Sequence, residues 1–279
     1  MALAPIMVAT LAVGLSACGN SSSASRSTPT TGPVATVTSA PKTTTTLPAQ
    51  VVTSLYFVRG TTLGVAVRHV NSSADPKYLA VQALLAGPVP SESAAGLGTA
   101  IPAGTTVCGL QIRGGIATIN LSPEFVTPGP APSLSARLAQ IVYTLTAYSN
   151  VGKVVIEVSK VPLPAFAGVA LTVPVGRSQV TAALPAVLLE TPAVGSSLQG
   201  TLPISGLTSF TGTYDVQLVD STGRLLAAVT NSAVVGATFE QSLPFSTSKS
   251  GTGTLRVFAK PSATGQPTQT VTFTLPISP

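Results

Sequence analysis

The chain has 279 residues, a formal net charge of +6 and only 8% charged residues. Its Lys and Arg are scattered, with no basic run or basic helix face, which argues against nucleic-acid binding. The length leaves room for two ordinary domains, and a single histidine cannot supply the His-rich ligation of most zinc sites.

Residues 2–15 are nearly all apolar. The run is shorter than the roughly 20 residues of a membrane-spanning helix and suits the core of a signal peptide. Leu15-Ser16-Ala17-Cys18 closes it as a lipobox. Small residues fit a peptidase cleft, and the Cys18 thiol takes the diacylglyceryl group. Residues 1–18 are therefore predicted to be a lipoprotein signal peptide, with Cys18 lipidated and carrying palmitate-type chains. Each buried methylene contributes about 0.8 kcal/mol, and two or more chains anchor durably. The expected location is the extracytoplasmic face of the cell membrane. The alternative is a chance cysteine after an ordinary secretory signal. No Lys or Arg precedes the apolar run, which points to a start codon upstream of Met1.

Residues 19–50 are rich in Ser, Thr, Pro and Ala, with threonine throughout 43–46. Without apolar periodicity, nothing offsets the entropy of ordering, so a disordered tether is predicted. Its rms span is on the order of 30 Å. Acylation of Cys18 leaves Cys108 without a disulfide partner in the chain. Cys108 lies in an apparent strand over 105–112, which predicts a buried, inert thiol.

A first domain is expected over 51–180. Residues 55–58 and 63–68 read as strands around a turn at Arg59-Gly60. Asp75 and Pro76 start a helix with the stripe Tyr78, Val81, Leu84 and Leu85, ended by Gly87-Pro88. Strands at 107–113 and 116–121 are joined by a Gly114-Gly115 hairpin turn. After a proline-rich break, Ser133 can cap a longer helix whose Leu134, Leu138, Ile141, Val142 and Leu145 share one face. An apolar strand follows at 153–158. The order ββαββαβ predicts an α+β sandwich, with helices covering one face of a mixed sheet. Residues 160–183 read as extended connecting segments with a short turn of helix after Gly176.

From 187 onward, seven short runs (187–190, 202–206, 213–220, 224–230, 238–243, 253–260 and 268–275) are separated by Gly, Pro, Asn or Ser. This spacing predicts an all-β, immunoglobulin-like β-sandwich over 184–279. It has neither the cysteine pair nor the tryptophan of antibody domains. Apolar burial alone must stabilise it.

Four segments carry a family resemblance: Ala83-Leu84-Leu85-Ala86-Gly87-Pro88, Ala100-Ile101-Pro102-Ala103-Gly104-Thr105, Ala117-Thr118-Ile119-Asn120-Leu121-Ser122 and Ala139-Gln140-Ile141-Val142-Tyr143-Thr144-Leu145-Thr146. In order and spacing they resemble the GerMN domain, first defined in spore germination proteins. Glu190-Thr191-Pro192-Ala193-Val194-Gly195-Ser196, Ser242-Leu243-Pro244-Phe245-Ser246 and Gly253-Thr254-Leu255-Arg256-Val257-Phe258 resemble the bacterial spore germination immunoglobulin-like domain. The resemblance implies an envelope lipoprotein with no known catalytic residues. It also implies a fold akin to ring-building motifs that pack into oligomers. It does not imply germination itself.

Chemistry-bearing groups are few. His69 and Cys108 form the one nucleophile–base pair that can be nominated. Asp215 and Asp220, five apart in one strand, point to opposite faces. No phosphate loop, nucleophile elbow or zinc-protease signature occurs, so no catalytic, cofactor or metal residue is assigned. Tyr56 and Phe57 are adjacent in a strand, so one ring is expected to face outward. Tyr143, Tyr148, Phe210 and Tyr214 are expected to be part-buried packing rings. Three readings follow. The first is a non-catalytic scaffold that contacts an envelope protein or a second copy. The second is a module binding peptidoglycan or another wall polymer. The third is a wall-remodelling enzyme using His69 and Cys108.

Overall fold

Two apolar runs and a tight turn produce the first hairpin. β1 (Gln50–Arg59) and β2 (Thr62–Asn71) pair antiparallel in unbroken register from Gln50↔Asn71 to Arg59↔Thr62. The structure, a computed structural model, describes residues 50–71 and 75–279. The predicted lipidation site Cys18, the signal peptide and residues 19–49 of the tether lie outside the described residues.

α1 (Pro76–Leu85) starts as expected, with the Asp75 carboxylate accepting from the Lys77 N–H at 3.0 Å. It buries Ala80, Val81 and Leu84. A short α2 (Pro90–Ala94) lies in the stretch read as loop. β3 (Val107–Arg113) and β4 (Ile116–Leu121) form the predicted hairpin. Gly114 at φ +55° and Gly115 at φ +77° supply the two positive φ angles of a type I′ turn. α3 (Ala131–Leu145) begins two residues before Ser133, which therefore lies inside the helix rather than capping it. Proline is tolerated in a first helical turn, so the Pro-rich segment is absorbed into the helix start.

β5 (Lys153–Val158) runs parallel to β4, and β6 (Val161–Pro162) pairs with β5 to give the mixed sheet β3-β4-β5-β6. β7 (Ala165–Phe166) and β8 (Val169–Ala170) form a small hairpin in the connecting segment. A 3-10 turn at Arg177–Gln179 stands where a turn of helix was expected.

The ββαββαβ order holds, but the strands form two sheets rather than one. The edges of β1 and β2 are satisfied by other parts of the chain. Tyr56 N–H donates to Thr144 Oγ1 at 3.1 Å, and Val58 bridges Gly98. Both helices pack against β1, while α1 also reaches β3 and α3 reaches β5. Leu55, Tyr56, Phe57 and Val58 are consecutive and all buried. No ring of β1 therefore faces outward.

The seven predicted runs of the C-terminal part are all strands. They are β9 (Val187–Thr191), β11 (Thr201–Thr208), β12 (Gly212–Asp220), β13 (Leu225–Ala233), β14 (Thr238–Pro244), β15 (Gly251–Pro261) and β16 (Thr268–Ser278), with the two-residue β10 (Leu198–Gln199) added. They make a five-stranded sheet, β10-β16-β15-β12-β13, and a three-stranded sheet, β14-β11-β9. Period-2 burial is clear: Tyr214, Val216 and Leu218 in β12, and Leu255, Val257 and Ala259 in β15. Tyr214 and Phe239 bring the sheets together with ring centroids 5.0 Å apart. One continuous apolar cluster includes residues of both the α+β part and the β part.

Candidate functional site

A polar cluster lies where the α+β part meets the C-terminal sheets. Arg177, on the 3-10 turn, donates from Nη1 to Glu190 Oε1 of β9 at 2.7 Å. It also donates from Nη2 to the Tyr56 hydroxyl at 3.0 Å and from Nε to Thr146 Oγ1 at 2.9 Å. The Tyr56 hydroxyl donates to the same Glu190 oxygen. The guanidinium lies over two rings, 4.7 Å from the Tyr143 centroid and 5.3 Å from Tyr56. Burial pushes the Tyr143 hydroxyl up to about 12 and that of Tyr56 higher still. Both phenols therefore stay protonated at physiological pH, and the site holds one cation and one anion.

Backbone bonds reinforce this junction. Leu63 N–H donates to Ala183 O at 2.8 Å, Val67 N–H to Val194 O at 2.8 Å, and Val194 N–H to Val65 O at 3.1 Å. Residues 183–194 thus close the outer edge of β2. Gly195 adopts φ +95°, and a Cβ there would stand 2.8 Å from Val67 O. Only glycine fits this approach. The Glu190-to-Ser196 segment, which carried a resemblance in sequence, is the docking strip between the two parts.

The other motif residues serve the fold as well. Buried Gln140 accepts the Ala100 N–H at 2.7 Å. Arg137, 4% exposed, donates to the carbonyls of Ala100, Phe125 and Thr127 at 3.1, 2.6 and 2.8 Å. Arg68 pairs with Glu92 at 2.8 Å through Nε and donates to Ala83 O and Gly87 O. Glu92 in turn accepts the Val89 N–H at 2.9 Å.

The nominated nucleophile and base are not brought together. His69 is exposed on β2, whereas Cys108 is on β3 of the other sheet. The Cys108 thiol is exposed, not buried as expected. The register shifts between Val107 and Gly109, so Cys108 sits at a bulge that breaks the in–out alternation. Asp215 accepts from Thr230 Oγ1, while Asp220 accepts from Thr222 and Arg224 in the β12–β13 turn. The Thr222 hydroxyl leads a set of hydrogen bonds that holds the Asp220 carboxyl down at about 2. Among the described residues, no group of three His, Cys, Asp or Glu side chains is placed to hold a metal ion. Tyr56, Tyr143 and Tyr214 are buried, which removes exposed tyrosine as an argument for wall binding at these positions.

An open groove of about 270 Å³ lies between α1 and the start of β3, lined by Gln82, Leu85, Ala86, Thr105, Thr106 and Val107. It mixes apolar and polar walls and contains no ionisable side chain.

The Germane family, described as sporulation and spore germination, matches residues 54–163. The chain carries a GerMN domain. Its span runs from β1 through β6 and takes in the Arg68–Glu92 and Arg137–Gln140 networks. Among solved structures, a candidate lipoprotein from Clostridium perfringens is similar at 25% identity, covering 47% of this chain and 90% of that one, with a TM-score of 0.35. The tandem GerMN domains of the sporulation protein GerM from Bacillus subtilis are similar at 20% identity, covering 66% and 61%, with a TM-score of 0.42. The first GerMN domain of GerM alone is similar at 20% identity, covering 45% and 94%, with a TM-score of 0.36. No curated protein matches the chain. No described helix is long and apolar enough to cross a membrane.

Proposed function

We propose that this GerMN-domain protein is a non-catalytic adaptor of the cell envelope, held to the extracytoplasmic face of the membrane by acyl chains on Cys18. It works through protein–protein contacts, with residues 19–50 giving reach from the bilayer. The C-terminal part, 184–279, is read as an immunoglobulin-like β-sandwich that supplies a second contact surface.

One observation carries this reading. The buried and half-buried polar side chains of the GerMN domain and of the segment after it are engaged in internal bonds, and the exposed His69 and Cys108 stand on different sheets. Arg68 and Glu92 hold α2, Arg137 and Gln140 hold the loop at Ala100, and Arg177 binds Glu190 and Tyr56 across the junction. Fixed in this way, they position surfaces rather than reacting groups. The docking strip at 183–195 supports a further point: the two parts present those surfaces in a constant relation.

The test combines fractionation with crosslinking in cells. The chain is expected in the membrane fraction and the Cys18→Ser variant in the soluble exported fraction. Crosslinking is expected to yield a discrete adduct with another envelope protein. Native chain free in the cytosol, or a chain that never crosslinks, would contradict the proposal. Retention on purified cell wall at low salt, with no protein adduct, would favour polymer binding instead.

A further inference from the structure

We infer that the outer edge of β3 is a strand-addition site for an extended, acid-ended peptide segment of another protein. The inference rests on the adaptor reading and names the kind of partner that reading requires.

Among the described residues, the GerMN domain covers β1, β2 and β5 with its own chain and leaves β6, the edge opposite β3, only two residues long. Thr144 and Gly98 cover β1, and Ala183 and Val194 cover β2. β6 and Val175 cover β5. Among the described residues, β3 pairs with β4 alone. The two-residue turn at Gly114-Gly115 fixes which backbone groups remain. Arg113↔Ile116 closes the turn, so Arg113, Gln111 and Gly109 face β4 with their amides and carbonyls. Those of Leu110 and Ile112 then point outward. The Leu110 and Ile112 side chains are part-buried against the core, which keeps the edge rigid. An open row of amides and carbonyls on a rigid strand is a template for another strand.

Two features choose the occupant. At the start of β3 the groove offers Leu85, Ala86 and Val107 to an apolar side chain. At the far end, Arg113 and Lys153 flank Ile116 in register on adjacent strands. Both are exposed, and neither forms an ion pair among the described residues. A carboxylate there completes the charge. The six steps from Val107 to Arg113 span roughly 20 Å at about 3.3 Å per residue, so apolar and acidic anchors sit at opposite ends of about seven residues. A second copy of this chain is the poorer occupant because each copy carries +6. The bulge at Cys108 confines regular pairing to the Gly109–Arg113 stretch.

The probes are two capped heptapeptides, Asp-Thr-Val-Thr-Val-Thr-Leu and its reverse sequence, titrated into the full acylated chain. Binding is read by fluorescence polarisation of the labelled peptide and by amide hydrogen exchange. One orientation is expected to bind below 1 mM and to slow exchange at Leu110 and Ile112 at least tenfold, leaving β13 and β14 unchanged. N-methylation of one alternate set of peptide amides is expected to weaken binding at least tenfold, and of the other set less than threefold. Arg113→Glu is expected to weaken the acid-ended peptide at least fivefold and to favour a Lys-ended one. Ile112→Pro places its missing N–H on the free edge and is expected to abolish binding in a chain with unchanged circular dichroism. Absence of binding at 1 mM, equal binding of both N-methylated sets, or no effect of Arg113→Glu overturns the inference. Concentration-dependent protection of Leu110 and Ile112 without peptide overturns it in favour of a second copy. None of these failures erases an envelope-protein adduct found in cells at another surface, so the adaptor reading is judged separately.

Discussion

Arg177 and Glu190, 13 positions apart, meet at 2.7 Å and join the 3-10 turn after the GerMN domain to the first strand of the C-terminal sheets. Both side chains are about a quarter exposed, so solvent screens part of the attraction. The two aromatic rings beneath the guanidinium and its bonds to Tyr56 and Thr146 add what the ion pair alone lacks. Arg177→Ala is expected to destabilise the chain by about 2 kcal/mol. Arg177→Lys should recover less than half of that, because an ammonium cannot reproduce the planar fork. Urea unfolding midpoints of the two variants check both statements.

Gly195→Val should open the docking strip. The new Cβ meets Val67 O, and φ +95° is strained for a branched residue. A loss of about 2–3 kcal/mol is expected. Limited proteolysis should show new cleavage within 181–196, whereas Gly223→Val, at a glycine with open space around it, should not create that site.

Arg137→Ala removes a buried cation that gathers three carbonyls. The loop at Ala100 and the turn at Phe125 then lose their shared donor. About 3 kcal/mol of stability should be lost, together with hydrogen-exchange protection at Ala100 N–H, which Gln140 accepts.

Asp220 sets a pH dependence of defined sign. Its carboxyl is held at about 2, below its ordinary value of 3.8, by the Thr222 hydroxyl first and then by Arg224 and backbone donors. A depressed carboxylate stabilises the fold above its unfolded value, and the contribution is lost as pH falls through the folded value. Stability should therefore decline between about pH 4 and pH 2. Asp220→Asn should flatten that part of the curve, and an NMR titration should place the carboxyl midpoint near 2.

Exposure of Cys108 has a direct consequence. A thiol reagent should modify it in the native chain at a rate within about tenfold of the urea-unfolded chain. A thiol that reacts only after unfolding would contradict the bulge at this position.

Much of the architecture was legible because it rests on local rules. Short runs set apart by Gly, Pro, Asn or Ser marked every main strand of the C-terminal part, and Gly114-Gly115 announced a hairpin through its need for positive φ. Asp75-Pro76 announced a helix start. The misreadings have physical causes. Alternation assumes regular pairing, and the Val107/Gly109 shift reverses the phase at Cys108. The consecutive apolar residues Leu55 to Val58 carried a signal of burial on both faces, which an outward-facing ring contradicted. Separation of β1–β2 from the mixed sheet depends on edge partners at Thr144, Ala183 and Val194, and no local pattern encodes them. The Arg177 cluster was missed for the same reason: Tyr56 lies 121 positions from Arg177. Only an isolated arginine among apolar and small residues hinted that it had a buried task.

The most direct test of the adaptor account is site-specific photocrosslinking in living cells. A benzophenone side chain is placed at exposed Gln111 on β3, with exposed Thr222 in the β12–β13 turn, on a different sheet, as control. A discrete covalent adduct with one envelope protein from position 111, recovered in the membrane fraction and absent from position 222, is the predicted result. Full-length chain that is exported and folded but yields no adduct from position 111 or from any other exposed position tried would contradict the account.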